Sequence, residues 1–178
     1  MHPDIQEILI SKEEIKTKVI ELAKELDEDY KDKNPIMICI LKGSVLFFSD
    51  IVREMTVPLE IEFMAISSYG QGATSGIVKL VKDLDCSIEG RHVIIVEDIV
   101  DTGHTLFYLK KLLNDRMPAS IKICAMLDKI ERREADIKAD YKAFDICNEF
   151  VVGYGLDYAQ RYRNLPEIGI LKREIYEK

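Results

Sequence analysis

The stretch Val93-Ile94-Ile95-Val96-Glu97-Asp98-Ile99-Val100-Asp101-Thr102-Gly103-His104-Thr105 concentrates the chemistry of this chain. Its β-branched apolar start predicts a strand buried on both faces, of the kind parallel sheets contain. The acidic pair Glu97 and Asp98 follows where that strand emerges at its carboxyl end, which is where open α/β sheets bind ligands. The turn Asp101 to Thr105 then leads into a helix. It offers hydroxyls, a glycine that admits close backbone approach, and N–H groups at the positive end of a helix dipole, all suited to a phosphate. Two adjacent carboxylates beside a phosphate alone would repel it. They make sense if ribose hydroxyls or a divalent cation lie between, and hard oxygen donors suit Mg²⁺. A plainer reading, in which Asp98 and Thr102 merely cap the helix, accounts for each residue singly but not for the whole string.

The elements that must position this string can be read from periodicity. Ser11 with Glu14 forms a capping box, and Ile15, Val19, Leu22, Ala23 and Leu26 recur at helical spacing, predicting an amphipathic helix from about 12 to 30. Ile36 to Leu41 is a short, uniformly apolar run, hence a buried strand, and Lys42-Gly43-Ser44 ends it abruptly. Val45 to Met55 should be a helix packed on the sheet, and Leu59 to Ile66 alternates as a strand does. Ser67 to Gly76 carries three glycines and is expected to be a mobile loop. A short strand follows at Val78 to Val81, then a polar turn, the strand His92 to Glu97, a helix after Gly103 that closes near Met117-Pro118, and a strand at Ile121 to Leu127. Strand, helix and strand in succession impose a parallel sheet with right-handed crossover. Beyond residue 128 the pattern weakens, with short strands at Phe150 to Gly153 and Ile168 to Leu171.

The 178 residues suit one domain, and a net charge of −7 argues against a protein that grips a nucleic acid, which needs a basic face. The first thirty residues show no secretory signal and no apolar run approaches a membrane span, so the cytoplasm is the expected location and no membrane partner is expected. Cys39, Cys86, Cys124 and Cys147 form no C-x-x-C pair. Cys39 and Cys124 read as small core residues. Neither a G-x-x-x-x-G-K-[ST] loop nor a G-x-G-x-x-G after a strand is present.

Four hydrophobic residues, two acidic ones and the D-T-G-x-T loop resemble the phosphoribosyl-pyrophosphate signature of type I phosphoribosyltransferases. Further segments narrow the resemblance to the hypoxanthine (hypoxanthine-guanine) phosphoribosyltransferases: Leu41-Lys42-Gly43-Ser44, Ser68-Tyr69-Gly70, Leu127-Asp128-Lys129, and Phe150 to Tyr158. It covers about residues 36 to 171. It implies an α/β fold of the type I phosphoribosyltransferase kind, a mostly parallel sheet flanked by helices. The single domain of residues 1–178 would have a core at about 36–150 and a small hood built from about 1–10 and 150–178.

The same resemblance implies roles. Glu97 and Asp98 would face the ribose hydroxyls and metal, with a second Mg²⁺ on Asp157. Asp101 would lie beside purine N7, and Asp101, Thr102, Gly103, His104 and Thr105 would wrap the 5′-phosphate, His104 through its backbone only. Lys42 and Gly43 would hold pyrophosphate through a turn containing a non-proline cis peptide, and Arg163 would reach it with forked donors; Arg161, two residues earlier, is the competitor for that role. Lys129 would donate to the exocyclic O6, favouring 6-oxopurines over adenine. Phe150 would stack on the base, Val151, Leu156 and Asp157 would line its edge, and Ser68 with Tyr69 would close over the site.

The implied reaction is transfer of the phosphoribosyl group to hypoxanthine or guanine, giving IMP or GMP and pyrophosphate. Its alternatives are the same reaction on xanthine, or a regulator of this fold that senses phosphoribosyl pyrophosphate. The family forms homodimers and homotetramers, for which Met55 to Ile66 could supply surface.

Overall fold

The computed structural model describes residues 1–69 and 77–177. In chain order the elements are β1 (Ile5–Ile10), α1 (Lys12–Asp29), β2 (Ile36–Leu41), α2 (Val45–Glu54), β3 (Glu60–Tyr69), β4 (Ile77–Lys82), β5 (His92–Val100), α3 (His104–Asn114), β6 (Ser120–Asp128), β7 (Tyr141–Asp145), β8 (Val151–Val152), β9 (Ile168–Leu171) and α4 (Arg173–Tyr176). Six strands form one sheet in the order β4-β3-β2-β5-β6-β7, and β1-β9-β8 form another. In the larger sheet β3, β2, β5, β6 and β7 are parallel, and only β4 runs antiparallel, at the edge.

The apolar runs are continuous because this sheet is covered on both faces. Met37, Cys39, Ile94, Val96 and Cys124 share one core with Val19, Leu22 and Leu26 of α1 and Phe47 and Ile51 of α2. The alternate positions Ile36, Ile38, Val93, Ile95 and Ile123 pack with Leu106, Leu109 and Leu113 of α3. Cys39 and Cys124 are fully buried, as small core residues should be. The capping box of α1 forms as expected: Glu14 N donates to Ser11 Oγ (3.3 Å) and Ser11 N to Glu14 Oε2 (2.9 Å).

The chain leaves β2 through α2 toward β3 on one side, and leaves β5 through α3 toward β6 on the other. β2 and β5 are neighbours, so their carboxyl ends mark the point where strand order reverses and a crevice opens. The β2 end turns through a cis peptide at Leu41–Lys42. Buried Ser44 secures this turn, its hydroxyl donating to the Ile40 carbonyl at 2.7 Å.

The antiparallel sheet joins residues near both ends of the chain. Ile5 pairs with Leu171 and Val151 with Ile170, and Ile5, Val152, Tyr162 and Leu171 form its small core. These are the segments expected to build a hood.

Three differences from the sequence reading have physical causes. β1 shows little apolar periodicity because Gln6 to Leu9 are exposed and only its ends are buried. β7 is an edge strand whose only ladder is with β6, so Tyr141 and Ala143 alone carry its pattern. β3 extends to Tyr69 because it pairs with β4 through Tyr69↔Ile77. The glycine-rich segment expected to be a mobile loop lies, from 70 to 76, outside the described residues, as do the side chains of Ser68 and Tyr69. In the segment expected to supply interface surface, Met55 and Met64 are buried in the core, while Ile61 is exposed.

Ile51 joins α2 to the sheet without any exposed surface. Ile51→Ala should lower the unfolding free energy by about 2–5 kcal/mol, read as an earlier midpoint in urea.

Candidate active site

β5 runs to Val100, three residues past the expected end at Glu97, because the two sides of the strand finish at different places. Its ladder with β2 stops at Cys39↔Val96, whereas its ladder with β6 continues to Val100↔Asp128. Glu97 and Asp98 therefore project beside the turn that follows β2. Contact there is close: a Cβ added to Gly43 would sit 1.5 Å from Asp98 Oδ2. On the other flank stands Gly155, at φ +100°, where a Cβ would lie 1.9 Å from the Gly43 carbonyl oxygen. Only glycines let these segments meet.

Burial dominates the electrostatics of the acidic pair. It holds the Glu97 carboxyl well above the usual range, with the neighbouring Asp98 charge adding to the effect. Burial also raises Asp98, from 3.8 to about 6, against the pull of a backbone N–H bond and the Arg163 charge. Asp98 Oδ1 accepts from Ile99 N at 2.7 Å, while Glu97 Oε2 is buried with no partner.

The turn from Asp101 to Thr105 opens α3. Gly103 is the N-cap at φ +86° and no side chain caps the helix, so neither Asp98 nor Thr102 plays that role. A Cβ at Gly103 would also strike Ile137, 2.5 Å away. A cavity of about 160 Å³ lies over this turn, lined by Glu97, Asp101, Thr102, Gly103 and Thr105 among others. The His104 ring faces away, its Nε2 2.8 Å from Glu134 Oε2.

The remaining expected residues come from the loops after β6 and around β8. Lys129 is buried, and burial lowers its pKa. Its Nζ donates to the Glu149 carbonyl at 2.6 Å, and its backbone N to the Val100 carbonyl at 2.9 Å, tying it to the end of β5. Phe150 follows Glu149 and is 36% exposed. Val151 and Leu156 are buried. Arg163 contacts Asp157 Oδ1 through Nη2 (2.6 Å) and donates from Nη1 to the Gly155 carbonyl (2.7 Å), so it is the arginine built into the crevice wall. Arg161 is exposed and lines a cleft with Asp4, Tyr158 and Glu174, besides one that it shares with Arg163. Lys42 is exposed on its turn.

Among the described residues, three buried side-chain atoms lack a hydrogen-bond partner: Glu97 Oε2, Asp101 Oδ1 and Arg163 Nε. Such atoms cost free energy unless a ligand or water satisfies them. All three belong to residues singled out from the sequence. Arg132 Nε lies 3.2 Å from Asp101 Oδ1 as an ion-pair contact rather than a hydrogen bond. Larger clefts exist: one of about 510 Å³ between α1 and α2 is lined by none of these three residues, and another of about 510 Å³ is lined by Arg163 alone of them. No group of three or more Asp, Glu, His or Cys gathers among the described residues. A cation at Glu97 and Asp98 would therefore complete its shell with ligand and water oxygens, as Mg²⁺ commonly does.

Three residues escaped the sequence reading. Gly155 could have been found from the Gly153-Tyr154-Gly155 pattern. Arg132 and Arg133 sit in a charge run that looks solvated. Yet Arg133 donates to the Asp101 carbonyl (3.0 Å) and the Val100 carbonyl (3.1 Å) and pairs with buried Asp128, bracing the end of β5.

A crevice at a strand-order reversal, with an uncapped helix start on one side and half-buried carboxylates on the other, is where α/β proteins bind anionic ligands. Residues 6–159 match the phosphoribosyl transferase domain. The chain is 50% identical to the hypoxanthine-guanine phosphoribosyltransferase of Streptococcus thermophilus over 179 aligned positions, covering 100% of this chain and 99% of that one. It is 52% identical to that of Bacillus subtilis, covering 99% of each. A crystal structure of a hypoxanthine phosphoribosyltransferase from Staphylococcus aureus superposes with a TM-score of 0.96 at 46% identity, covering 100% of this chain and 97% of that one. The chain belongs to the phosphoribosyltransferase family.

The acidic pair has a measurable cost without ligand. Asp98 is raised from 3.8 to about 6, so the stability associated with its protonated form is complete below about pH 4 and lost as pH rises through about 6. Glu97 follows the same sign. Glu97→Gln should therefore raise the melting temperature of the ligand-free protein at pH 7.5 by about 2–4 °C, with the difference shrinking as pH falls and vanishing below about pH 4. A lowered melting temperature at pH 7.5 would show that the carboxylate stabilises the fold.

Proposed function

We propose that this protein transfers the 5-phosphoribosyl group from 5-phospho-α-D-ribose 1-diphosphate to N9 of hypoxanthine or guanine, giving IMP or GMP and pyrophosphate in purine salvage. The observation that carries this reading is the set of unpartnered buried atoms on Glu97, Asp101 and Arg163, an acceptor pair and a donor around one crevice. The curated relatives named above are enzymes of this activity, which disfavours a regulator that merely senses phosphoribosyl pyrophosphate.

Each residue then has a task. Backbone N–H groups of the turn from Asp101 to Thr105 hold the 5′-phosphate, helped by the dipole of α3. Glu97 and Asp98 take the ribose hydroxyls. Lys42, Gly43 and Arg163 meet the pyrophosphate, Arg163 with Nη and Nε donors. Lys129 donates to O6 from an ammonium that cannot accept from an amino group, so adenine is rejected. Asp101 accepts or shares the N7 proton, making N9 more nucleophilic toward a ribosyl carbon with oxocarbenium character. Phe150 stacks on the base, whose edge Val151, Leu156 and Asp157 line, and Ser68 with Tyr69 exclude water.

The partnerless Glu97 oxygen and the raised Asp98 carboxyl fit a divalent cation, which we take to be Mg²⁺. Asp157 would hold a second one while sharing its oxygens with Arg163 and the Gln160 N–H. When bound, such a cation supplies neutralisation of the pyrophosphate charge.

We read the chain as one domain, a core with the β1-β9-β8 sheet as its hood, that assembles as a homodimer or homotetramer and works in the cytoplasm. No helix among the described residues is long and apolar enough to cross a membrane.

A spectrophotometric assay with phosphoribosyl pyrophosphate, Mg²⁺ and hypoxanthine, guanine, xanthine or adenine in turn should give turnover with the first two and none with adenine. No turnover with any base would overturn the reading. Asp101→Asn should lower kcat about 10²-fold or more while leaving the melting temperature within a few degrees, the scale of a lost acid–base group. Near-normal kcat would remove Asp101 from the chemistry.

A further inference from the structure

We propose that Tyr176 is a positioning residue for the purine, backing the ring of Phe150 so that the plane on which the base stacks is fixed. The Phe150 and Tyr176 rings are stacked, with centroids 4.7 Å apart and planes 20° from parallel. Tyr158 meets the Phe150 ring at 5.7 Å and 87°, edge to face. Tyr176 and Tyr158 both pack on the small core of Ile5, Val152, Tyr162 and Leu171, which places them on the side of Phe150 that faces the three-stranded sheet. With that side taken, the 36% exposure that Phe150 retains leaves its opposite face to a ligand. Lys129 Nζ, on the neighbouring Glu149 carbonyl, puts an O6 donor beside the ring.

The backbone supports the same arrangement. Leu171 N donates to the Phe150 carbonyl at 2.9 Å, so β9 holds the Phe150 main chain. Lys172 N is bound to the Asp4 carbonyl at 3.0 Å, and α4 starts at once, returning Tyr176 to the ring whose backbone β9 has just secured. One short segment thus holds Phe150 at two points. A phenyl ring turns freely about its side-chain bonds unless packed, and an offset ring behind it removes that freedom before the base arrives.

This inference rests on the reading of Phe150 as the stacking platform, and the experiment separates the two. Steady-state kinetics would be measured for Phe150→Ala, Tyr176→Ala, Tyr176→Leu and Tyr176→Phe. Tyr176→Ala should raise KM for hypoxanthine about threefold to tenfold, the scale of one aromatic pair, with KM for phosphoribosyl pyrophosphate unchanged. Tyr176→Leu keeps an apolar contact with the small core and guards against loss of folding; it should show the same rise, while Tyr176→Phe restores the parent value. An unchanged or lowered KM for hypoxanthine in both Tyr176→Ala and Tyr176→Leu would overturn the proposal, the lowered value indicating a ring that competes with the base. Equal rises in both KM values would overturn it as well, in favour of a general structural role. If Phe150→Ala leaves KM for hypoxanthine unchanged, the platform reading itself fails.

Discussion

Everything at this site depends on two adjacent carboxylates held half-buried where a doubly covered strand outruns one of its neighbours. Glu97 and Asp98 can sit there because β2 has already turned away at Lys42 while β6 still pairs with β5. The Gly43 backbone comes up against Asp98, and Gly155 packs against the Gly43 carbonyl. A side chain at either position would push the turn away from the carboxylates. The ligand-free protein therefore carries a pair of acids whose charged forms are disfavoured by burial. Function here is held against stability, as is common where a site must be ready for a charged ligand.

That arrangement explains how an acidic protein can take a highly phosphorylated sugar. Net charge describes the average surface, and binding is decided by a few groups at short range. The uncapped start of α3 and Arg163 supply the donors proposed to meet the sugar's anions, and the carboxylates are proposed to meet its hydroxyls and a cation. Arg133 links the two halves of the crevice. It holds the carbonyls at the end of β5 and pairs with Asp128 at the end of β6, next to Lys129. Groups proposed to bind phosphate and base thus share one rigid support.

The three-stranded sheet answers a different demand. A base needs a flat apolar surface near polar groups that read its edge. β8 and β9 carry Phe150 and Val151 close to Lys129, and Tyr158 and Tyr176 pack on the Phe150 ring proposed to stack on the base. Because β1 completes this sheet, residues near both ends of the chain meet in it.

Much was legible in the residues themselves. Buried strands β2, β5 and β6 announced themselves through uniform apolar runs, α1 through its capping box, and the phosphate turn through Asp101 to Thr105. Those signals are local: each comes from burial on both faces, from helical spacing or from the needs of one turn. Edge strands β1 and β7 were faint because one-sided pairing imposes little pattern on a sequence. Arg132 and Arg133 looked solvated for a similar reason, since a charge run carries no mark of the carbonyls it will meet. The sequence by itself determined which residue types could serve the chemistry and the order in which strands and helices supply them. Only the tertiary structure decided that Gly43, Asp98 and Gly155 touch, that Arg163 rather than Arg161 enters the wall, and that Tyr176 lies behind Phe150. Those contacts join residues far apart in the chain, and they exist only once the sheet order has brought the carboxyl ends of β2 and β5 side by side.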